Sequence, residues 1–172
     1  MSGSGSPPDF ESYVVARRAH LRRTAYLLTG DWDRAEDVVQ DALTRLYVHW
    51  RRASRADDVD AYVRRSMVNA YLAEGRRPWR RERATENLPE TAYADPSAVS
   101  DDRDDLRRAL ASLGASQRAV VVLRYWDDLS VEQTADALGC STGNVKSQAA
   151  RGLARLREVL GASDAHDPEV AR

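Results

Sequence analysis

The sequence has few of the residues from which disulfide frameworks and many active sites are built. Cys140 is the single cysteine, so no disulfide can form within the chain. Its position in a turn between helices is typical of a small buried residue, with redox sensing as the alternative. The three histidines lie far apart, and no His, Cys or carboxylate cluster has metal-ligand spacing. No glycine-rich phosphate loop follows a strand. We therefore expect no enzyme, no cofactor and no metal site.

Long hydrophobic runs are also absent. No apolar stretch approaches the roughly 20 residues that a membrane-spanning helix needs. The first residues, MSGSGSPPD, are polar and contain no signal-peptide core. We expect residues 1–8 to form a flexible leader, and the protein to be cytoplasmic with no membrane insertion.

Charge of both signs is abundant but unevenly distributed. The 172 residues include 26 Lys and Arg and 27 Asp and Glu, for a net charge of −1, and Lys146 is the only lysine. Residues 49–83 contain ten arginines and five acidic residues, whereas residues 84–105 contain one arginine and seven acidic residues. This segregation indicates an anion-binding segment followed by a solvated acidic one.

Helical periodicity dominates the first half, and no strand pattern is present. Apolar residues recur every three or four positions in residues 9–29, 33–50 and 60–74. Asp33, with Glu36 three residues later, is typical of a capping box at the start of the second helix. The segment that follows the second helix is polar and predicts a loop.

Two separate helical units are expected from the pattern along the whole chain. The first three helices predict one buried core over residues 9–78. Residues 79–100 lose the periodicity and gain proline and acidic residues, which is typical of a flexible linker. Periodicity resumes over residues 101–160, where Ser116 is the expected cap of a helix, and residues 161–172 are expected to be a flexible tail.

Residues 127–157 carry the sequence signals of a helix-turn-helix. Ser130 and Gln133 are spaced as a capping box, and Gly139 follows the first helix where a left-handed residue is needed. Ser141 is placed to cap the second helix, which in such motifs lies in the DNA major groove. The predicted fold class is all-α: two small helical domains joined by an acidic flexible linker, the C-terminal one a helix-turn-helix.

The second helix of this motif has the composition of a DNA-reading surface. From Thr142 to Arg157 it contains no acidic residue. Lys and Arg can contact phosphates or guanine, Asn can read adenine, and Ser or Thr can serve either role. The alternative is an amphipathic hairpin with a solvated basic face, because many helix pairs share this geometry. The candidate DNA-binding residues are Thr142, Asn144, Lys146, Ser147 and Arg151.

Together the two halves resemble an extracytoplasmic-function (ECF, group IV) sigma factor of the sigma-70 family, most closely the small sigma factors of actinobacteria. SQRAVVVLRYWDDLSVEQTADALGCSTGNVKSQAARGLARLR, at 116–157, is similar to the family's region 4. AEDVVQDALTRLY, at 35–47, resembles the region 2 helix that docks on core RNA polymerase. DAYVRRSMVNAYLAEGRR, at 60–77, resembles the promoter-melting helix. The resemblance covers residues 9–160 in the family's order.

Two positions depart from the family's pattern. The run Leu113-Gly114-Ala115-Ser116 stands where the family often has a Leu-Pro pair, and Asn144 stands where it often has Thr. Because Asn144 is at the start of the recognition helix, the family's base preference cannot be carried over to this chain.

The resemblance implies a sigma factor that binds core RNA polymerase and directs promoter-specific transcription initiation. Region 4 would recognise the minus-thirty-five duplex through the five candidate residues, and region 2 would melt the minus-ten element, with loop 51–59 as part of its pocket. Tyr62 would stack on a base or, as its apolar neighbours favour, lie in the core. The implied minus-ten residues are Arg64, Arg65, Asn69, Arg76 and Arg77. The implied polymerase-binding residues are Glu36, Asp37, Gln40 and Asp41.

The resemblance also implies the partners. The acidic residues of the second helix would bind the clamp of the largest polymerase subunit, although a solvated acidic face is the alternative. The helix at 116–126 would bind the flap of the second-largest subunit. Promoter DNA is a partner, an anti-sigma factor is a further candidate, and the free chain is expected to be a monomer. The acidic residues 84–105 could mimic nucleic acid in the RNA exit path, a hypothesis based on composition.

Three other functions are alternatives to a sigma factor. A repressor or a response-regulator output domain also carries a C-terminal helix-turn-helix and would bind DNA alone, whereas a helical adaptor would bind only protein. A sigma factor of this kind is expected to bind DNA poorly without core polymerase. Gel shifts with and without core polymerase therefore separate these functions.

Overall fold

The computed structural model describes residues 9–55, 58–76 and 101–164, and every regular element within these ranges is a helix. The predicted all-α fold is confirmed. The expected loop after the second helix contains one short helix. In chain order the elements are α1 Phe10–Thr29, α2 Trp32–Val48, α3 Trp50–Ala53, α4 Val59–Gly75, α5 Asp101–Ala111, α6 Ala115–Val121, a π-helical turn Val122–Trp126, α7 Val131–Leu138 and α8 Thr142–Asp164.

Several predicted segments fall outside the described residues. These are the leader at 1–8, the linker at 79–100 and the end of the tail, together with Arg77. Helix α8 continues to Asp164, past the expected boundary at residue 160. None of the helices in the described part of the chain is both long and apolar enough to cross a membrane.

Aspartate side chains cap α1, α2 and α4 in the first half. Asp9 accepts a hydrogen bond from the Ser12 amide at 2.7 Å at the start of α1. The predicted cap at Asp33 is wrong, because α2 begins one residue earlier and Asp31 accepts from the Arg34 amide at 2.8 Å. Asp31 has the extended backbone that a cap needs, whereas Asp33 already lies in the first helical turn.

The first half buries one core among α1, α2 and α4. Helix α2 contributes most of it, because its apolar side chains recur at helical spacing along one broad face. Each fully buried Val, Leu or Met side chain stabilises the fold by about 1.5–3 kcal/mol relative to exposure. Members of this core that are almost completely buried are Ala25, Ala35, Val38, Val39, Ala42, Leu46, Val63 and Met67.

In the second half, α8 packs against α6 and α7. Val145 of α8 is fully buried, and Gly152 allows α8 to approach α6 closely. A Cβ atom at Gly152 would lie 2.7 Å from Val121 Cγ2, which is closer than real atoms approach. The predicted cap at Ser116 is wrong, because α6 starts at Ala115 after Gly114 and has no side-chain cap bond. Ser116 is therefore inside the first turn.

The two halves also pack directly against each other. Leu28 of α1 and Val68 and Tyr71 of α4 are buried in the same cluster as residues of the second half. That cluster lies between α4 and the helices α6 and α7 of the second half. Its buried members from the second half are Ala119, Val122, Leu123, Leu129 and Ala137.

Candidate nucleic-acid interface

Local hydrogen bonds set the turn between α7 and α8. Ser130 Oγ accepts from the Gln133 amide at 3.0 Å, and Gln133 Oε1 accepts from the Ser130 amide at 2.9 Å, which confirms the predicted capping box. Gly139 ends α7 in the left-handed region with φ of 63°. Ser141 Oγ accepts from the Asn144 amide at 3.1 Å. These bonds orient α8 as the second helix of a helix-turn-helix.

Helix α8 presents the predicted DNA-reading residues to solvent. Its buried stripe faces α6 and α7, and all five candidate residues are exposed. Asn144, Ser147 and Arg151 are three and four residues apart, so they share one face. Thr142 and Lys146 are four residues apart and share a different side of the helix. The structure therefore brings three of the five candidates onto one surface and places the other two on another side.

Helix α4 divides the predicted minus-ten residues between two faces. Arg65, Asn69 and Arg76 are exposed and lie on one side of the helix. Arg64 lies on another side, with Nε 3.5 Å from Asp127 Oδ2, and its side chain is only 18% exposed. Tyr62 is half-buried and packs against the first-half core, as its apolar neighbours predict.

Helix α2 carries the predicted polymerase-binding residues. Asp37, Gln40 and Asp41 are exposed, whereas Glu36 is held by two arginines of α1. Its carboxylate accepts from Arg18 Nη2 at 2.5 Å and from Arg22 Nε at 2.7 Å. Burial raises the pKa of Glu36, but the bonds and charges of the two arginines outweigh it and hold the pKa below its usual value. Glu36 is thus already bonded within the chain, and the other three are accessible.

Two exposed apolar residues extend this face. Tyr47 is 66% exposed and Val48 is 69% exposed, in the last turn of α2. Val48 lies three turns after Asp37 on the same side of the helix, and the Tyr47 ring contacts Phe10 edge-on at 5.1 Å. Sequence reasoning missed both residues. The signal was available, because Val48 falls on the polar side of an otherwise amphipathic helix.

Asp127 links the second half to α1 and α4. Its Oδ1 lies 2.9 Å from His20 Nε2 and accepts from Thr24 Oγ1 at 3.0 Å. The Trp126 indole N–H donates to the same Thr24 hydroxyl at 3.1 Å, and its ring stacks on His20. The Asp127 side chain is 5% exposed. No sequence signal could have identified these contacts, because more than 100 residues separate the partners.

Arg118 makes a second link between the halves. Its Nε donates to the Leu27 carbonyl oxygen at 2.6 Å, at the C-terminal end of α1. The guanidinium lies beside Gly30, where a Cβ atom would come within 3.3 Å of Nη2. Burial lowers the pKa of Arg118 below its usual value. The carbonyl end of a helix dipole favours a cation, which offsets part of this burial.

No metal-binding arrangement was found among the residues that the structure describes. Within 9–55, 58–76 and 101–164, no group of three His, Cys, Asp or Glu side chains is arranged to hold an ion. Cys140 is half-buried and packs against the cluster around Val120 and Val145. This position matches the expected packing role.

Family models match both halves of the chain. The model of sigma-70 region 2 matches residues 13–81, and the model of sigma-70 region 4 matches residues 103–156. The chain is 43% identical over 160 residues to the RNA polymerase sigma-E factor of Streptomyces coelicolor, covering 93% of this chain and 90% of that relative. It is 37% identical over 152 residues to the ECF RNA polymerase sigma factor SigM of Mycobacterium tuberculosis, covering 84% and 74% respectively.

Two solved structures have a similar fold. The sigma factor RpoE in its co-crystal structure with the anti-sigma factor NepR from Bartonella quintana matches with a TM-score of 0.74 and 27% identity. That match covers 89% of this chain and 97% of the other. CnrH in complex with the cytosolic domain of CnrY matches with a TM-score of 0.60 at 23% identity, over 89% and 88% of the two chains, and bears on the fold alone.

Proposed function

The chain belongs to the ECF sigma factors of the sigma-70 family, and on that premise we propose which of its surfaces meets the promoter and which meets the polymerase. A member of this family binds core RNA polymerase and promoter DNA and directs promoter-specific transcription initiation. The observation that carries the proposal is the presence of regions 2 and 4 in order on one chain. Each region also has an exposed polar face on a helix whose other side is buried.

Region 4 reads the minus-thirty-five duplex with the exposed face of α8. A helix with its side chains is about 10–12 Å wide, which fits a major groove about 12 Å wide. Arg151 is suited to bidentate contact with guanine, and Asn144 is suited to adenine. Ser147 lies between them on the same face, where a hydroxyl can bond to either base type. Lys146 and Thr142, which share another side of α8, contact the phosphate backbone.

Lys146→Ala tests the division between reading and positioning on α8. A phosphate contact carries no sequence information, so holoenzyme binding should weaken equally on promoters of different sequence. The slope of log affinity against log salt should fall by about 1. Fluorescence anisotropy over a salt series, with Lys146→Arg as the charge-preserving control, measures both quantities. A loss confined to one base position would contradict the phosphate assignment.

Region 2 engages the minus-ten element with the exposed side of α4. Arg65 and Arg76 track the phosphates, and Asn69 between them is placed to contact a base edge. Loop 51–59 contributes Arg51, Arg52 and further residues to the same basic surface. Arg77 is assigned to this surface from its place in the sequence, as the residue after Arg76. Unstacking a base costs a few kcal/mol, so these contacts and base stacking must repay that cost.

The clamp of the largest polymerase subunit binds the exposed face of α2. Asp37, Gln40 and Asp41 supply polar and charged contacts, and Glu36 contributes through its arginine-bound carboxylate. Tyr47 and Val48 add apolar area at the end of this face, and burying such area drives association. The helix α6 and the π turn provide the surface for the flap of the second-largest subunit.

The chain itself performs no catalysis in this proposal. It supplies binding energy and specificity, and the polymerase carries out the chemistry in the cytoplasm. The decisive experiment is run-off transcription with reconstituted core polymerase on genomic fragments. Discrete start sites that require the chain support the proposal. A chain that shifts DNA equally well without core polymerase would instead be a repressor or an output domain.

A further inference from the structure

The proposed minus-ten surface is built from two parts of the chain. Loop 51–59 contributes exposed arginines, and α4 contributes the exposed residues of its outer side. One DNA strand contacts both parts most tightly when they keep a fixed relative position, because conformational freedom that is lost on binding weakens it. Contacts that fix this position before DNA binds therefore strengthen binding. The exposed residues are Arg51, Arg52 and Arg55 in the loop and Arg65, Asn69 and Arg76 on α4.

The first of these parts is anchored to α1 by aromatic contacts. We call residues 50–55 the α3 flank, because they contain α3 and the residues directly after it. The Trp50 ring meets the Phe10 ring edge-on at a centroid distance of 5.5 Å, and it lies 6.0 Å from the Tyr13 ring. Ala53 is buried in the first-half core. The α3 flank therefore has a defined position against the start of α1.

The second part is anchored to α1 by hydrogen bonds. We call residues 58–60 the α4 flank, because Asp58 caps α4 and the following residues form its first turn. Asp60 Oδ1 accepts hydrogen bonds from Tyr13 Oη at 2.7 Å and from Arg17 Nε at 3.0 Å. Hydrogen bonds to an ionised carboxylate are shorter and stronger than those between neutral groups. The start of α4 is therefore held to the same helix as the α3 flank.

Tyr13 contacts both flanks with different parts of one side chain. Its ring lies against Trp50 of the α3 flank, and its hydroxyl donates to Asp60 of the α4 flank. Tyr13 is half-buried and packs against the first-half core, so packing fixes the position of its ring. Because one fixed side chain contacts both flanks, it also fixes their position relative to each other.

We propose that Tyr13 is a positioning residue for minus-ten recognition, which holds the α3 flank through its ring and the α4 flank through its hydroxyl. The arginines of the α3 flank and the exposed side of α4 then meet single-stranded DNA in one arrangement. Arg17 supports this arrangement by holding the Asp60 carboxylate. Tyr13 acts through the two flanks rather than by touching DNA. This inference rests on the proposed function for its consequence on DNA, whereas the positioning itself is measured on the free chain.

Hydrogen exchange on the free full chain tests the positioning without DNA. Tyr13→Phe keeps the ring and removes the hydroxyl bond, so only the α4 flank should loosen. The Ala61 amide, which donates to Asp58 Oδ1 at 2.8 Å, should then exchange about threefold faster. The amides of residues 52–54, which are bonded to backbone carbonyl oxygens, should change only in Tyr13→Ala, which also removes the ring. Tyr26→Phe removes a hydroxyl from the other end of the same helix and should change neither.

Holoenzyme binding tests the consequence for the promoter. The probes come from a start site found by run-off transcription: a fork-junction DNA that is single-stranded across the minus-ten element, and a duplex that carries the minus-thirty-five element. Tyr13→Phe should bind the fork junction about fivefold more weakly, because the fraction of chains with both flanks in place falls by about that factor. The salt dependence of this binding should not change, because the same arginines meet the phosphates. Binding to the duplex should not change either, and Tyr26→Phe should match the parent chain on both probes.

Substitutions at Asp60 show whether Tyr13 acts through this bond. Asp60→Ala should weaken fork-junction binding, and adding Tyr13→Phe to it should cause no further loss. Asp60→Asn keeps an oxygen acceptor for the hydroxyl and should recover most of the affinity. Additive losses, an equal loss on the minus-thirty-five duplex, or unchanged exchange at Ala61 in Tyr13→Phe would overturn the role of Tyr13. If run-off transcription finds no start site, the proposed function fails, and hydrogen exchange still decides whether Tyr13 holds the flanks.

Discussion

The helix-turn-helix and the α4 surface are positioned by contacts of different range. Within the helix-turn-helix, Ser130 bonds with Gln133 and Ser141 bonds with Asn144, in each case across three residues. Such bonds form whenever the segment is helical, whatever the rest of the chain does. The orientation of the DNA-reading face of α8 is therefore set within region 4 and does not depend on contacts with the first half.

Helix α4 is held instead by residues far away in the chain. Tyr13 Oη and Arg17 Nε both donate to Asp60 Oδ1, at 2.7 and 3.0 Å, and anchor the start of α4 to α1. Burial, together with the bond to Asp60, raises the pKa of Tyr13, so the hydroxyl stays protonated to a higher pH than that of an exposed tyrosine. Arg64 pairs with Asp127 across the two halves. The position of α4 therefore depends on partners far along the chain, whereas the start of α8 is fixed by its own neighbours.

The largest expected effect is at the cluster that joins the two halves. Leu123 is completely buried there, so Leu123→Ala should lower the free energy of unfolding by about 3 kcal/mol through lost burial and a cavity. Urea denaturation followed by tryptophan fluorescence measures the loss. Leu106→Ala, at a side chain that is 42% exposed, should cost less than about 0.5 kcal/mol. Equal losses in the two variants would show that the joining cluster adds no stability.

Arg151→Ala should have the next largest effect, and it should act on region 4 alone. Losing a bidentate guanine contact costs about 2 kcal/mol, or about 30-fold in affinity of the holoenzyme for the promoter. Gel shifts on promoters altered at single positions should show relaxed specificity at one base pair. Arg103→Ala, an exposed arginine of α5, is the matched control and should bind normally. Weaker binding at every sequence would reassign Arg151 to the phosphate backbone.

Gly152 and Gly161 should respond to alanine with opposite signs. Gly152→Ala should destabilise region 4 by about 1–2 kcal/mol, because its Cβ would meet Val121 Cγ2 at 2.7 Å in a packed interface. Gly161→Ala has no atom within 4 Å of the new Cβ and should stabilise α8 by about 0.5 kcal/mol. Thermal melting of both variants compares them directly. A melting temperature that rises in both would mean that α6 and α8 can move apart at little cost.

The smallest expected effect is the loss of a helix cap, which we compare at Ser130, where the cap bond is present, and at Ser116, where it is absent. Ser130→Ala should cost about 1 kcal/mol, because Ser130 accepts the Gln133 amide at the start of α7. Ser116→Ala should cost almost nothing, because Ser116 lies inside the first turn of α6. Chemical denaturation of the two variants resolves a difference of this size. A larger loss at Ser116 would indicate a cap bond that the structure lacks.

Sequence reasoning correctly predicted features whose interacting residues lie close together along the chain. The capping box at Ser130, the left-handed Gly139 and the exposed acid-free face of α8 all depend on residues a few positions apart. It failed at Asp33 and Ser116, where another residue two positions earlier could also begin the helix. The choice between two capping residues that lie two positions apart depends on which side chains of the first helical turn are buried in the core.

The amino-acid sequence by itself determined that the chain is helical, where most helices begin and end, and which face of α8 is polar. These properties follow from periodicity and from bonds that span one helical turn. Only the tertiary structure decided that Asp127 meets His20 and Arg64, and that Arg118 meets the end of α1. Those contacts depend on how two helical units pack against each other, and a carboxylate or guanidinium gives no local sign of a partner that lies 63 to 107 residues away along the chain.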